Sequence, residues 1–289
     1  MAGGVGGVAE SAESATPAHG GAIVPSWLLG VWQREWIEER GSRSSTFDVD
    51  YLQTPSFFGD VRISRDRPNL SHASSFADLS DQQLYALAQQ RAFAGRTTLV
   101  GTTATWHHQV DFQPPDGEAD IGRLDLLADR RMHEHALDGS YIESWKSVTD
   151  GDGRFLVIQT ERDGRPQRLL LVAGDYFVFV RNRIKDLPKA TCLDSLIAST
   201  RPSRTQIIEY LDCEFSFGRV HGGSNAWEIQ RSTLPWREGH RLEFVDELKV
   251  FTEGNRVLQR TPGSEHMTVP INTFPDSELV EIFSDRSGQ

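Results

Sequence analysis

The sequence predicts a mainly β protein made of two tandem lipocalin-like antiparallel β-barrels from an internal duplication, with one short helix each. Three observations support this fold class. From residue 28 onward, short runs of aromatic and β-branched residues alternate with turns rich in Gly, Pro, Asn and Asp. Helical patterns are confined to two segments, and the order of motifs in the first half recurs in the second.

The segments with strand patterns account for most of the chain. In chain order they are 29–39, 46–54, 57–64, 102–112, 121–128, 131–137, 141–148, 154–162, 168–174, 176–183, 226–234, 241–251 and 255–261. The two helix candidates are 80–93, in which Ser80 is placed as the N-cap, and 203–213.

The two helix candidates reveal the repeat. Each follows a strand with Val-Arg near its end and precedes a Gly and a strand that carries Trp. The matched pairs are Arg62 with Arg181, Trp106 with Trp227, Arg123 with Arg241, and Glu143 with Glu281. The first three pairs lie about 120 residues apart, close to the size of a domain. A Pro- and Gly-rich insertion at 261–275 explains the wider spacing of the last pair.

The repeat sets the predicted domain boundaries. The first barrel is expected at 28–150 and the second at 151–289, after a disordered tail at 1–27 that is rich in Gly, Ala and Ser. Barrel closure removes exposed sheet edges, and barrels of about eight strands can hold one small ligand.

Composition restricts the partners and the compartment. The chain has 30 basic and 41 acidic residues, and its formal charge of −11 repels nucleic-acid phosphates. The tail has neither the basic region nor the apolar run of a signal peptide or membrane span. Only two cysteines occur, Cys192 and Cys213, and they form no disulfide framework. We therefore expect a soluble cytoplasmic protein that binds neither nucleic acid nor membrane.

Several motifs of the first half resemble a known family. They are the run "AFAGRTTLVGTTATWHHQVDF" at 92–112, the "GRL" at 122–124, the "YIESWKSV" at 141–148 and the "DVR" at 60–62. This pattern resembles the fungal casein-kinase-interacting proteins, which are built from two lipocalin-like barrels. The resemblance is clearest over residues 50–150 and implies the duplicated barrel fold. It implies no catalytic residue, and this chain departs from the family pattern at His107 and Ser144.

Strand alternation predicts which side chains enter the first barrel. Successive side chains of a strand point to opposite faces of the sheet. The residues expected inside are Trp106, His108, Val110 and Phe112 from one strand, and Tyr141, Glu143 and Trp145 from another. The same rule sends His107 and Asp111 outward.

His108 and Glu143 are therefore predicted to share the barrel interior as a pair. Because burying an unpaired charge is costly, the two side chains must be hydrogen-bonded or ion-paired. The pair has three interpretations: a satisfied core contact, a ligand contact, or an acid and a base with the Glu pKa raised by burial. The second half has Ile229 where the first has His108, so the ligand is expected in the first barrel.

The leading functional hypothesis is a lipocalin-like protein that binds a small apolar or aromatic molecule in the first barrel. The predicted ligand-binding residues are Trp106, Phe112, Tyr141, Trp145 and Arg62. One alternative is a cofactor-independent isomerase, cyclase or lyase that uses His108 and Glu143 for proton transfer. Another is a protein-interaction module with filled barrels.

No cofactor is expected, because the chain lacks a phosphate-binding loop, a nucleophile elbow and a dinucleotide fingerprint. No metal site is expected either. The H-x-H spacing of His133 and His135 places both imidazoles on one face of a strand, and His107 is a candidate third ligand, but this signal is weak.

Overall fold

The computed structural model describes residues 24–149, 155–221 and 226–244, together with the backbone of 249–253 and 256–260. The strands are β1 (Gly30–Glu39), β2 (Ser42–Ser44), β3 (Phe47–Gln53), β4 (Phe57–Ser64), β5 (Arg91–Val100), β6 (Thr103–Asp111), β7 (Asp120–Leu126), β8 (Arg131–Ala136), β9 (Tyr141–Ser147), β10 (Phe155–Arg162), β11 (Arg165–Ala173), β12 (Tyr176–Arg181), β13 (Glu214–Arg219), β14 (Glu228–Ser232), β15 (Lys249–Glu253) and β16 (Arg256–Arg260). The α-helices are α1 (Asp81–Ala88), α2 (Leu193–Thr200) and α3 (Arg204–Leu211).

The first half forms a closed antiparallel barrel. Its nine-stranded sheet runs β2-β1-β3-β4-β5-β6-β7-β8-β9, and β9 pairs back onto β1, so that β2 lies outside the closed ring of eight strands. Closure pairs both edges of the ring, as the sequence predicts. The mainly β class is thus confirmed.

The two ends of the barrel interior differ in polarity. At the end where β1 begins, a core cluster fills the interior, with Trp32, Phe58, Leu124 and Trp145 all buried. A large apolar side chain that is removed from water in this way contributes about 1.5 to 3 kcal/mol. At the opposite end, charged side chains replace this core and surround a cavity.

The second half contributes an antiparallel five-stranded sheet of order β10-β11-β12-β13-β14. This sheet and the helices pack against the outer face of the barrel through one continuous apolar core, which includes Phe57 and Val61 of β4 and Val178 of β12. Gly59 is required at this contact, because a Cβ there would lie 2.7 Å from Cγ1 of Val178.

Ion pairs reinforce the packing of the two sheets. Arg67 binds both carboxylate oxygens of Glu238 at 2.7 and 2.9 Å. Arg231 binds the buried Asp50 at 2.8 Å, and burial raises the pKa of Asp50 to about 6 although Arg231 lowers it in part. Arg183 donates hydrogen bonds to the carbonyl oxygens of Asp111 and Phe112. The barrel and the second sheet therefore share both apolar and polar contacts.

Two glycines, one in each sheet, lie at bulges in the strand pairing. The pairing register shifts between Ala94 and Gly95 on β5 and again between Phe217 and Gly218 on β13. A Cβ on Gly95 would lie 2.0 Å from the carbonyl oxygen of His107, and one on Gly218 would lie 2.1 Å from that of Glu228. Only glycine permits so close an approach of two backbones.

The helices differ from the prediction of one in each half. Ser80 does cap α1, but the chain turns directly into β5 at Arg91, inside the predicted helix 80–93. The prediction missed α2 for two reasons. Its N-cap is Cys192, an uncommon capping residue, and Ser195 and Thr200 within the helix have low helix propensity. The prediction also missed β5 and β13, which begin within three residues of the preceding helix.

Other sequence predictions lie partly outside the described residues. Residues 1–23 of the predicted tail and Glu281 belong to this group. Val24, which the prediction assigns to the tail, is buried in the barrel core, so the packed structure includes residues before the predicted boundary at 28. The segment 241–251 does not form one strand, since its regular pairing begins at Lys249. None of the described helices has the length and apolar character that crossing a membrane requires.

Candidate functional site

The polar end of the barrel surrounds a partly open cavity of about 340 Å³. Small-molecule pockets commonly measure about 300 to 1,000 Å³. All strands of the closed ring contribute to it: the lining side chains are Ile37, Glu39, Tyr51, Asp60, Arg62, Arg91, Phe93, Trp106, Asp116, Asp120, Met132, Glu134, Tyr141, Glu143 and Trp145.

Aromatic rings form the floor of the cavity. The indole Nε1 of Trp106 donates a hydrogen bond to the hydroxyl of Tyr51 at 3.0 Å, and the Tyr51 hydroxyl donates in turn to Gln53. The rings of Tyr51 and Trp145 lie 5.9 Å apart. The two rings are tilted by 58° relative to each other. These buried contacts fix the rings and present an apolar surface at the base of a polar cavity.

Arg62 is paired with two neighbouring carboxylates. Its Nε and Nη2 bind the two carboxylate oxygens of Asp60 at 2.8 and 3.1 Å, and its Nη1 lies 3.5 Å from Oε1 of Glu143. Its guanidinium carbon lies 4.8 Å from the centre of the Phe93 ring. Burial opposes the charge of Arg62, but Asp60 and Glu143 outweigh it and raise the Arg62 pKa well above its ordinary value.

Glu143 and Trp145 each present an unpaired polar atom. The Oε1 of Glu143 pairs with Arg34, whereas its Oε2 is buried and has no hydrogen-bond partner among the described residues. The Nε1 of Trp145 is also buried without an acceptor. Both side chains are 2% exposed, and both line the cavity. One free acceptor and one free donor therefore lie two residues apart on the same face of β9.

Glu134 is a lining carboxyl group whose environment favours the protonated form. It pairs in register with Glu143 across β8 and β9, and the hydroxyl of Tyr141 donates to its Oε1 at 2.9 Å. Burial raises the pKa of Glu134 well above its ordinary value, and the nearby carboxylates of Glu143 and Asp120 raise it further. A protonated carboxylic acid can donate a proton as well as accept a hydrogen bond.

The predicted pairing of His108 with Glu143 is wrong. The Nδ1 of His108 lies 2.6 Å from Asp111, and its Nε2 lies 3.0 Å from Asp120. Its ring stacks on Phe93 with centroids 4.6 Å apart. Burial disfavours the protonated ring, but the hydrogen bonds to Asp111 and Asp120 outweigh burial and raise the His108 pKa to about 9.

The bulge opposite Gly95 explains this error and the wrong sides predicted for Val110, Asp111 and Phe112. Ala94 pairs with Val110 and Gly95 with His108, so Gln109 is an extra residue that reverses the alternation of β6. Asp111 therefore lies on the side of His108, not outward as predicted. Phe112 leaves the interior and packs in the core between the barrel and the second sheet, so its prediction as a cavity wall is wrong.

The other predicted ligand-binding residues all line the cavity, namely Trp106, Tyr141, Trp145 and Arg62. The histidines that were weak metal candidates do not converge. His107 hydrogen-bonds Thr98, and His135 contacts Asp125 on the other side of the strand from Glu134. Within the described residues, no group of three or more His, Cys, Asp or Glu side chains could hold a metal ion.

Sequence reasoning missed Glu134, Asp60 and Asp120. Glu134 stands between two histidines in "MHEHAL", and the metal hypothesis directed attention to the opposite face of that strand. Alternation alone places Glu134 inward once His133 and His135 point outward. Asp60 precedes Arg62 by two residues, which puts both on one strand face, so this pair was also detectable.

The comparisons with known proteins identify the fold but no family. No protein-family model and no curated protein sequence matches the chain. A crystal structure of an uncharacterized protein, YLR301w from Saccharomyces cerevisiae, is similar, with a TM-score of 0.50 and 11% sequence identity. The similarity covers 83% of this chain and 96% of the yeast chain. At this level of identity it shows that the two chains share a fold.

Proposed function

We propose that this protein binds a small molecule in the cavity at the polar end of its first barrel. The proposal rests on two buried polar atoms of β9 that lack a hydrogen-bond partner among the described residues, Oε2 of Glu143 and Nε1 of Trp145. A buried polar group without a hydrogen bond costs about 1 to 3 kcal/mol. A ligand that satisfies both atoms recovers this cost.

The two atoms define the polar part of the ligand. Glu143 requires a donor and Trp145 requires an acceptor. The aromatic floor of Tyr51, Trp106 and Trp145 complements a ring or another apolar body. The ligand is thus amphipathic, more polar than the apolar or aromatic molecule that the sequence predicts.

A fragment screen by NMR tests the proposal, with the full chain and a library of small amphipathic molecules. Binding shifts the resonances of the cavity-lining residues. The matched variants are Trp145→Phe, which removes the free indole donor, and Trp32→Phe, which removes an indole that already donates to the carbonyl of Leu28 at 2.8 Å. Trp145→Phe is expected to weaken fragment binding several-fold, and Trp32→Phe is expected to leave fragment binding unchanged. If no fragment shifts the cavity resonances, the proposal fails.

A second candidate is a cofactor-independent enzyme such as an isomerase, cyclase or lyase. The observation that favours it is the position of Glu134, whose pKa is raised by burial, beside Tyr141 and Glu143 in a partly enclosed cavity. The proton-transferring group is then Glu134 in place of His108, whose ring nitrogens are both engaged by aspartates. With a fragment hit as substrate, Glu134→Gln abolishes turnover and retains binding, and retained turnover would exclude this role.

We also infer that the chain is a duplicated, lipocalin-like protein with units at 28–150 and 151–289, and a distant relative of the fungal casein-kinase-interacting proteins. The matching bulges at Gly95 and Gly218 support the duplication. So does the order of the second sheet, which repeats that of β1-β3-β4-β5-β6 in the barrel. A crystal structure of the full chain that lacked a second barrel would refute the predicted architecture.

A further inference from the structure

We propose that the ligand is an organic ammonium cation with a hydroxyl or carbonyl acceptor, held between Glu134 and Glu143, and that its entry displaces the proton of Glu134. This inference rests on the proposed binding function and specifies its ligand class. It also makes binding a proton-coupled event.

The charge of the cavity favours a cation. Six carboxyl groups line it, compared with two arginines, Arg62 and Arg91. Arg34 and His108 add two positive charges nearby, and Asp111, the partner of His108, adds one negative charge. Even with Glu134 in its protonated form, the remaining six carboxyl groups outnumber the four cationic groups. The electrostatic attraction between a cation and these carboxylates is stronger in this partly desolvated space than in water, because the local dielectric constant is lower.

The arginine in the cavity is poorly available to an anion. Arg62 already uses its Nε, Nη1 and Nη2 on Asp60 and Glu143. The carboxylates of Asp60 and Glu143, which surround Arg62, would also repel an anionic ligand at close range. Arg91 lies at the exposed rim and reaches only the entrance.

Glu134 provides the ionisable carboxyl group that a cation would recruit. The charged and titratable groups that face it are Glu143 and Tyr141 on β9, Asp120 on β7 and Arg62 on β4. Burial and the two carboxylates raise the pKa of Glu134 and so favour its protonated form, and the opposing attraction of Arg62 is smaller. An ammonium group placed between Glu134 and Glu143 stabilises the ionised form of Glu134. Binding therefore releases a proton and strengthens as pH rises through the range in which Glu134 titrates.

Glu143 and Trp145 explain the remaining features of the ligand. The free Oε2 of Glu143 accepts one ammonium N–H, and the free Nε1 of Trp145 donates to a hydroxyl or carbonyl two residues along the same face. The rings of Tyr51, Trp106 and Trp145 provide π faces for the cation and an apolar surface for the rest of the molecule.

Three compounds of nearly equal shape test the charge preference with the full chain. Phenylethanolamine is a cation, phenylethanediol is neutral and mandelate is an anion, and all three carry the same ring and hydroxyl. Calorimetry is expected to show the cation binding at least about tenfold more tightly than the other two, a difference of about 1.4 kcal/mol. Repeating the titration in buffers of different ionisation enthalpy measures the released proton.

The variants Glu134→Gln and Glu209→Gln separate the role of Glu134 from a general loss of negative charge. Glu209 is an exposed carboxylate on α3, remote from the cavity. Glu209→Gln is therefore expected to keep both the preference for the cation and the proton release. In Glu134→Gln the proton release disappears and the preference for the cation falls. Equal or tighter binding of the diol or mandelate, seen as shifts of the cavity resonances, overturns the ligand class and leaves the binding function intact. Cation binding without proton release overturns the role of Glu134.

If none of the three compounds shifts the cavity resonances, the inference fails. The fragment screen then decides the binding function separately.

Discussion

Glu134 and Glu143 face each other in register on neighbouring strands of a closed barrel, and both carboxyl groups point into the same cavity. Like charges directly opposite each other destabilise a sheet. The two carboxyl groups have different partners. Arg34 and Arg62 flank Glu143, whereas Glu134 accepts a hydrogen bond from the neutral hydroxyl of Tyr141. The two carboxyl groups thus have different chemistry in one cavity.

Glu134→Gln is expected to stabilise the protein at neutral pH by on the order of 1 kcal/mol. The folded-state pKa of Glu134 is raised, so the native state binds more protons than the unfolded state, and stability falls as pH rises from the unfolded pKa towards the folded one. Glutamine does not ionise, so it avoids this loss of stability, and it can still accept a hydrogen bond from the hydroxyl of Tyr141. Urea unfolding across pH measures the effect. The difference between variant and wild type should vanish in acid, and a constant difference would contradict the explanation.

Arg34→Met is expected to destabilise the protein by about 3 to 5 kcal/mol, because it removes a partner from the buried carboxylate of Glu143. The double variant Arg34→Met/Glu143→Gln should recover part of this loss, since no uncompensated carboxylate remains there. Chemical denaturation of the two single variants and the double variant gives the coupling energy. Additive effects would show that the two residues do not act as a pair.

The His108 cluster is expected to lose its stabilising effect in alkali. The pKa of His108 is raised from an ordinary value of 6.5 to about 9, so its stabilisation is fully present below 6.5 and is lost as pH rises through 9. NMR titration of the imidazole measures the pKa directly. In Asp111→Asn and Asp120→Asn the pKa should fall, and an unchanged value in both variants would exclude the aspartates as its cause.

Gly95→Ala is expected to destabilise the barrel by on the order of 2 kcal/mol or more and to misplace His108. The new methyl group would collide with the backbone of His107, which cannot move as a flexible side chain could. Gly101→Ala is the control: Gly101 has φ of +62° but no atom near its Cβ position, so only the backbone strain of about 1 to 2 kcal/mol is expected. Thermal unfolding and the His108 pKa are the readouts. A normal His108 pKa in Gly95→Ala would show that the bulge does not position the ring.

The sequence by itself determined the β class, most strand positions, both predicted helices and the inward direction of Trp106, Arg62, Tyr141, Glu143 and Trp145. These features depend on local physics. Hydrophobic alternation, turn residues and helix caps act over a few neighbouring residues, so they can be identified in one stretch of chain.

The tertiary structure decided which polar groups meet. The bulge at Gln109 depends on the close approach of Gly95 from the neighbouring strand, so alternation within β6 alone assigns Asp111 and Phe112 to the wrong sides. Glu143 meets Arg34 because barrel closure pairs β9 with β1, and His108 meets Asp120 because of the register between the neighbouring strands β6 and β7. Which buried charged side chains form ion pairs depends on the distances between neighbouring strands. A one-residue change in the pairing register would change every such ion pair.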